Sequence, residues 1–155
     1  MILNRQSRVR IPVVELNRFL ALVQKRLRVP NGAVTIALVT DGEIKRWNRA
    51  FRGKNRPTDV LSFPTDDSWE QDNSSAKKTR ASKAHWRPEG SYLGDIAIAP
   101  AIARHNSRRF GRTFTTEMCI LILHGILHLM GYDHETDEGQ MDRREARLRR
   151  ELGLA

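Results

Sequence analysis

Apolar positions set out most of the elements of this chain. From Val13 to Arg28 they recur at helical spacing, with Val13, Leu16, Leu20, Val23 and Leu27 on one face. Pro12 suits the first turn of that helix, and Pro30-Asn31-Gly32 ends it with turn chemistry. Ala33 to Thr40 is a mostly apolar run rich in β-branched residues, which predicts a buried strand. A second helix is expected from Asp41 to Ala50, with Ile44 and Trp47 facing inward. Leu3 to Val9 predicts a short, arginine-rich edge strand, and Asp59 to Phe63 (DVLSF) another strand, stopped by Pro64. Leu93 to Ala99 (LGDIAIA) alternates, placing Ile96 and Ile98 on one face and Asp95 on the other. Pro100 to Phe110 predicts a basic helix. Thr113 then caps a helix running to Met130 that is apolar nearly all round and is therefore expected at the centre of the fold. A last helix is expected from about Asp137 to Leu152, with Met141, Leu148 and Leu152 inward.

Thr65 to Gly90 differs in kind. It is polar and aperiodic, with Asp66, Asp67, Glu70 and Asp72 preceding Lys77, Lys78, Arg80, Lys83 and Arg87. A connection this long without a pattern of its own reads as a surface insertion or a flap beside a site. The expectation is one domain over residues 1–155 with a polar insertion at about 65–90, a length sufficient to bury a core.

Charge narrows the choice of partners. The net charge is +9 and the pI is near 10.6, which favours polyanions such as nucleic acid. The charge is clustered: residues 1–30 carry seven Lys/Arg against Glu15, residues 41–58 carry six against Asp41 and Glu43, and Arg104 to Arg112 adds four arginines and no acid. The single cysteine, Cys119, excludes an internal disulfide framework, fits a reducing cytoplasm and lies in an apolar run that predicts an inert buried thiol. The longest apolar stretch, Met118 to Met130, is too short to span a bilayer, and no secretory signal is read at the N-terminus.

The chemistry concentrates in HGILHLMGYDH, from His124 to His134. On a helix, His124 and His128 stand one turn apart on the same face. Gly131 is placed to end the helix in a left-handed turn, so that the reversing chain can bring His134 back to the first pair. Three neutral imidazoles with a fourth position left for water make a catalytic kind of Zn²⁺ site, although such a donor set also accepts Ni²⁺, Co²⁺ or Cu²⁺. The spacing matches the metzincin pattern H-E-x-x-H-x-x-G-x-x-H at every fixed position but one. Gly125 stands where those peptidases carry their glutamate base.

HGILHLMGYDH, preceded by PTDVLSFP (Pro57 to Pro64) and LGDIAI (Leu93 to Ile98), resembles the YbeY family of bacterial endoribonucleases. The resemblance runs from the first strand to the last helix and includes Asn48 and Arg52 before PTDV, and Met141 and Glu145 near the end. The Thr65–Gly90 segment departs from it, being longer and more polar than is usual in the family. The resemblance implies an α+β fold, a small, mostly parallel four-stranded sheet flanked by helices. It also implies a zinc-dependent, single-strand-specific endoribonuclease acting in ribosomal RNA maturation, notably at the small-subunit 3′ end, and in ribosome quality control. The family's metal ligands match His124, His128 and His134. Its functional arginine matches Arg52 best, with Arg49 and Arg56 near enough in sequence to be the alternatives, and all three are taken as substrate-binding candidates.

RNA cleavage on such a site needs a nucleophile, a stabilised phosphorane-like transition state and a protonated leaving oxygen. A zinc ion on His124, His128 and His134 would serve the first two, with His124 counted among the catalytic residues, and Arg52 would grip a non-bridging phosphate oxygen through its planar fork. No carboxylate is singled out as a base. Asp133 and Asp95 read as histidine-orienting or structural groups, Asp59 as a strand-end hydrogen-bonder, Glu117 as a helix N-terminal charge, and Glu145 as a partner of Arg149. Trp47 and Phe51 read as core residues before base-stacking ones, whereas Trp69 and Trp86 are the stacking candidates of the polar segment. Two other classes stay open: a zinc peptidase, against which Gly125 and the basic charge count, and a non-catalytic ribosome-associated factor with a structural zinc.

Overall fold

The computed structural model describes residues 1–65, 92–133 and 136–154. The polar insertion, with Trp69 and Trp86, and the third expected ligand, His134, lie outside the described residues. The elements in chain order are β1 (Ile2–Asn4), α1 (Val13–Leu27), β2 (Val34–Leu38), α2 (Asp41–Arg52), β3 (Val60–Pro64), β4 (Gly94–Ile98), α3 (Pro100–Arg109), α4 (Phe114–Leu129) and α5 (Gln140–Glu151). The four strands form one sheet in the order β1-β2-β4-β3. β1 and β4 both pair parallel to β2, and β3 closes the far edge antiparallel to β4. The fold is thus α+β with a mostly parallel four-stranded sheet, as expected.

Strand alternation divides the interior in two. Val34, Ile36, Leu38, Ile96 and Ile98 face α1 and α4 and share one core with Leu16, Leu20, Ile122 and Ile126. Ala97 and Leu61 point the other way, into a smaller cluster with Val39, Ile44 and Ala99, against which Trp47 and Phe63 pack. Hence α1 and α4 cover one face, and α2 lies on the other.

Elements depart from expectation where side chains take over from the pattern. β1 ends at Asn4 rather than Val9 because Gln6 turns the chain. Its Nε2 donates to Asn4 Oδ1 and to the Val9 carbonyl, and its Oε1 accepts from the Val9 amide. Val13 is 41% exposed, and Phe19 takes its place on the inner face of α1. α5 begins at Gln140 rather than Asp137, because Asp137 caps it: its carboxylate accepts from the Gly139 and Met141 amides at 2.8 and 2.9 Å. Thr113 caps α4 as expected, accepting from the Thr116 amide at 3.1 Å.

Candidate metal centre

α4 is the most deeply buried helix of the fold. From Glu117 to Leu129, the only residues that keep solvent contact beyond a trace are His124 and His128. Their spacing puts them on one face, and the structure brings their Nε2 atoms to 3.1 Å with ring centroids 4.6 Å apart. Two ring nitrogens sharing a tetrahedral zinc at about 2.0–2.1 Å each would lie roughly 3.3 Å apart. The two nitrogens share a hydrogen bond here, at a distance within a few tenths of an ångström of that separation.

The other nitrogen of His124 has a carboxylate partner. Nδ1 lies 2.9 Å from Glu145 Oε1, on α5. A carboxylate accepts only, so Nδ1 carries the proton and Nε2 presents its lone pair towards His128. This carboxylate–histidine arrangement orients a metal ligand and raises its basicity. Glu145 was expected to pair with Arg149; it reaches across to α4 instead. Its place 21 residues along the chain gave the sequence no local signal for the contact.

Gly131 ends the helix as anticipated, with φ +98°. Its amide donates to the His128 carbonyl at 3.0 Å and the Tyr132 amide to Leu127 at 3.1 Å, the paired bonds of a Schellman turn. The Asp133 carbonyl then accepts from the Thr136 and Asp137 amides at 3.3 and 3.0 Å. Among the described residues, no group of three or more His, Cys, Asp or Glu side chains is placed to hold a metal ion; the expected third ligand lies outside them.

Gly125 has a packing reason that the sequence did not disclose. A Cβ there would stand 2.8 Å from Ile96 Cδ1 and 2.9 Å from its Cγ2. α4 comes this close to β4 only because residue 125 has no side chain, and Ser62 of β3 donates to its carbonyl at 3.1 Å. Position 125 therefore faces the sheet, and a glutamate there would be driven into the core.

Three other carboxylates, Asp95, Asp59 and Glu117, are structural or lie elsewhere. Asp95 is on the opposite face of the sheet from the histidines, where it accepts from the Tyr92 hydroxyl, so it does not orient a ligand. Partial burial, and then this bond, raise the Tyr92 pKa. Asp59 accepts from Asn106 at 3.2 Å and ties the start of β3 to α3. Glu117, in the first turn of α4, pairs with Arg112 at 2.9 Å. Burial pushes the Cys119 thiol up to about 11, consistent with an inert role.

The three arginines gather at one place. Arg52 ends α2, Arg49 is one turn earlier, and Arg56 follows in the loop to β3, all exposed. Asn48, 2% exposed, holds this loop by donating to the Arg56 carbonyl at 2.8 Å. α2 and α4 lie on opposite faces of the sheet but finish at the same end of it. Phe51 packs on Phe63, which pairs with Asp95, while a Cβ on the neighbouring Gly94 would meet Leu129. Edge strand β3 meets both helices, α2 through Phe63 on Phe51 and α4 through Ser62 on the Gly125 carbonyl.

A model of the family described as "Endoribonuclease YbeY" matches residues 1–153. The chain belongs to the YbeY endoribonuclease family. An Endoribonuclease YbeY of Solibacter usitatus is 42% identical over 147 residues, covering 94% of this chain and 82% of that protein. One from Koribacter versatilis is 34% identical over 154 residues, covering 99% and 86%. A solution structure of a Thermotoga maritima protein, 29% identical, superposes with a TM-score of 0.58 over 98% of this chain and 89% of that one. No helix among the described residues of this YbeY-family chain is long and apolar enough to cross a membrane.

Proposed function

We propose that this chain is a zinc-dependent endoribonuclease of the cytoplasm that cuts single-stranded RNA in ribosomal RNA maturation, at the small-subunit 3′ end, and serves ribosome quality control. The observation that carries the metal reading is the His124–His128 pair with converging Nε2 atoms and Glu145 on Nδ1. His124, His128 and His134 would hold one zinc ion. Zinc bound there supplies a positive charge that polarises a phosphoryl oxygen and makes water acidic enough to attack near neutral pH.

The chain's own groups do the rest. Glu145 holds His124 in the tautomer that offers Nε2. Arg52 takes a phosphate of the RNA through its fork, and Arg49 and Arg56 add positive charge along the same strand. The basic clusters draw the polyanion in, so binding weakens steeply with salt. The peptidase alternative has no base: residue 125 is a glycine, and a Cβ there would press on the Ile96 side chain.

The test compares wild type, His128→Ala and Arg52→Ala on labelled single-stranded RNA bearing the small-subunit 3′ end, with folding and bound metal measured in the same samples. Wild type should cut. His128→Ala should lose both metal and cleavage, and Arg52→Ala should keep its metal while cutting on the order of a hundredfold more slowly. Equal cleavage by all three would mark the activity as a contaminant and leave a non-catalytic, ribosome-binding protein.

A further inference from the structure

On the sheet face opposite the histidines, α2 leaves a groove of about 490 Å³ open beside it. Trp47, Phe51 and Phe63 form an aromatic row along it. Trp47 and Phe63 meet edge to face at 6.1 Å, and Phe51 and Phe63 at 5.1 Å. Trp47 is half-buried, which is a core role, but Phe51 is 70% exposed. A phenylalanine this exposed, anchored edgewise on a second ring, presents a flat apolar face to solvent at a fixed angle.

The charges around it are those of a nucleic-acid site. Arg52 follows Phe51 directly, and Arg49 and Arg56 are exposed on the same helix end and loop. Arg5 lies over the Trp47 ring at 6.0 Å while pairing with Glu43 at 3.3 Å. Two charged residues line the groove, Arg5 and Asp95; Arg5 is paired with Glu43, and Asp95 accepts from the Tyr92 hydroxyl. A base edge bearing an amino group meets an acceptor there, in the Asp95 carboxylate. We propose that the groove is a nucleobase subsite, in which a base of single-stranded RNA stacks on Phe51 while the adjoining phosphates lie on Arg49, Arg52 and Arg56. The occupant is a base and not a protein segment because the groove's exposed ring, Phe51, offers a π-face directly beside the exposed Arg52 in the chain, and aromatic faces with neighbouring cations are what single strands stack on. The Phe51 end of the groove is at the end of the sheet where α4 finishes: Phe63 beneath Phe51 pairs with Asp95, and Leu129, next to His128 in the chain, stands at the adjoining Gly94, so one strand crossing edge strand β3 would reach both. This subsite rests on the endoribonuclease reading and adds to it a place where bases are held.

The probes are a short 2′-O-methyl RNA and its abasic counterpart, which share phosphates and differ only in bases, titrated by anisotropy against the zinc-loaded protein. Wild type should prefer the base-bearing strand about tenfold or more. Phe51→Ala should lose most of that preference with its salt dependence unchanged, and Phe51→Trp should keep it. Arg52→Ala should weaken both strands alike. A preference retained in Phe51→Ala, or absent from wild type, would overturn the subsite. So would a large fall in melting temperature of Phe51→Ala, which would mean that the ring is covered by the chain itself, or loss of a wild-type dimer in that variant. Cleavage of unmodified RNA by wild type is scored separately. If it is absent, the nuclease reading fails whatever Phe51 does; if it is present without a base preference, only the subsite fails.

Discussion

The two faces of the sheet are built to opposite ends. On one, α4 is pressed onto β4 so closely that Gly125 has no room for a Cβ, and its only partly open positions in the buried stretch are two histidines. On the other, α2 sits against a small cluster and stops short, leaving Phe51 in solvent and a groove beside it. The difference separates a fixed wall from an open surface. A metal ligand set needs side chains fixed within a fraction of an ångström, which close packing and a carboxylate partner supply. A surface that collects a flexible polyanion needs reach, charge and exposed rings, which a packed face cannot offer.

The closed face should break most severely at Gly125. Gly125→Glu forces a side chain against Ile96, which is 0% exposed, and strands a carboxylate in the core. It should cost at least about 3 kcal/mol, measured by urea unfolding, and should create no peptidase activity. Gly125→Ala isolates the steric part. Overpacking costs about 1–3 kcal/mol, and helix propensity returns up to about 1. That cost should shrink in an Ile96→Val background, which removes the Cδ1 methyl, and an unchanged cost would mean the helix relieves the contact by shifting.

A smaller effect is expected from the partner of His124. Glu145→Gln keeps an acceptor near Nδ1 but removes the charge and allows the amide to turn its donors inward. Zinc affinity, read by competition with a chelator, should fall about 10- to 100-fold while the melting temperature of the metal-free protein barely moves. An equal loss from Arg149→Ala would restore the expected Glu145–Arg149 pairing and remove Glu145 from the site.

How much of this was legible depended on range. Both faces of the sheet, the Thr113 cap and the Gly131 turn follow from neighbours a few residues apart, and the sequence pattern carries that information. The Glu145–His124 contact joins two helices, and no periodicity records which face of α5 turns towards α4. Gly125 reads only as a missing glutamate until Ile96 is found against it. Trp47 and Phe51 read alike as core residues, and both rings meet Phe63 of β3, yet Trp47 is half-buried while Phe51, one turn further along at the end of α2, touches it only by an edge contact and stays 70% exposed. His134 belongs to the motif by spacing, and its place at the site is part of the proposal.

The smallest effect should sharpen the claim that α4 is a closed wall. Burial raises the Cys119 thiol from 9.0 to about 11, so the folded chain holds its proton where the unfolded chain releases it. The sign follows: the stability tied to the neutral thiol is complete below about pH 9 and is lost as pH rises towards 11. Wild type should therefore lose stability relative to Cys119→Ala between pH 8 and pH 10.5, compared in matched urea melts so that other titrating groups cancel. Native Cys119 should resist alkylation at pH 8 and react only as the chain unfolds. Rapid labelling of the folded protein would mean that α4 opens locally. The rigidity assigned to the histidine pair would then have to come from the bound metal and not from the packing of the helix.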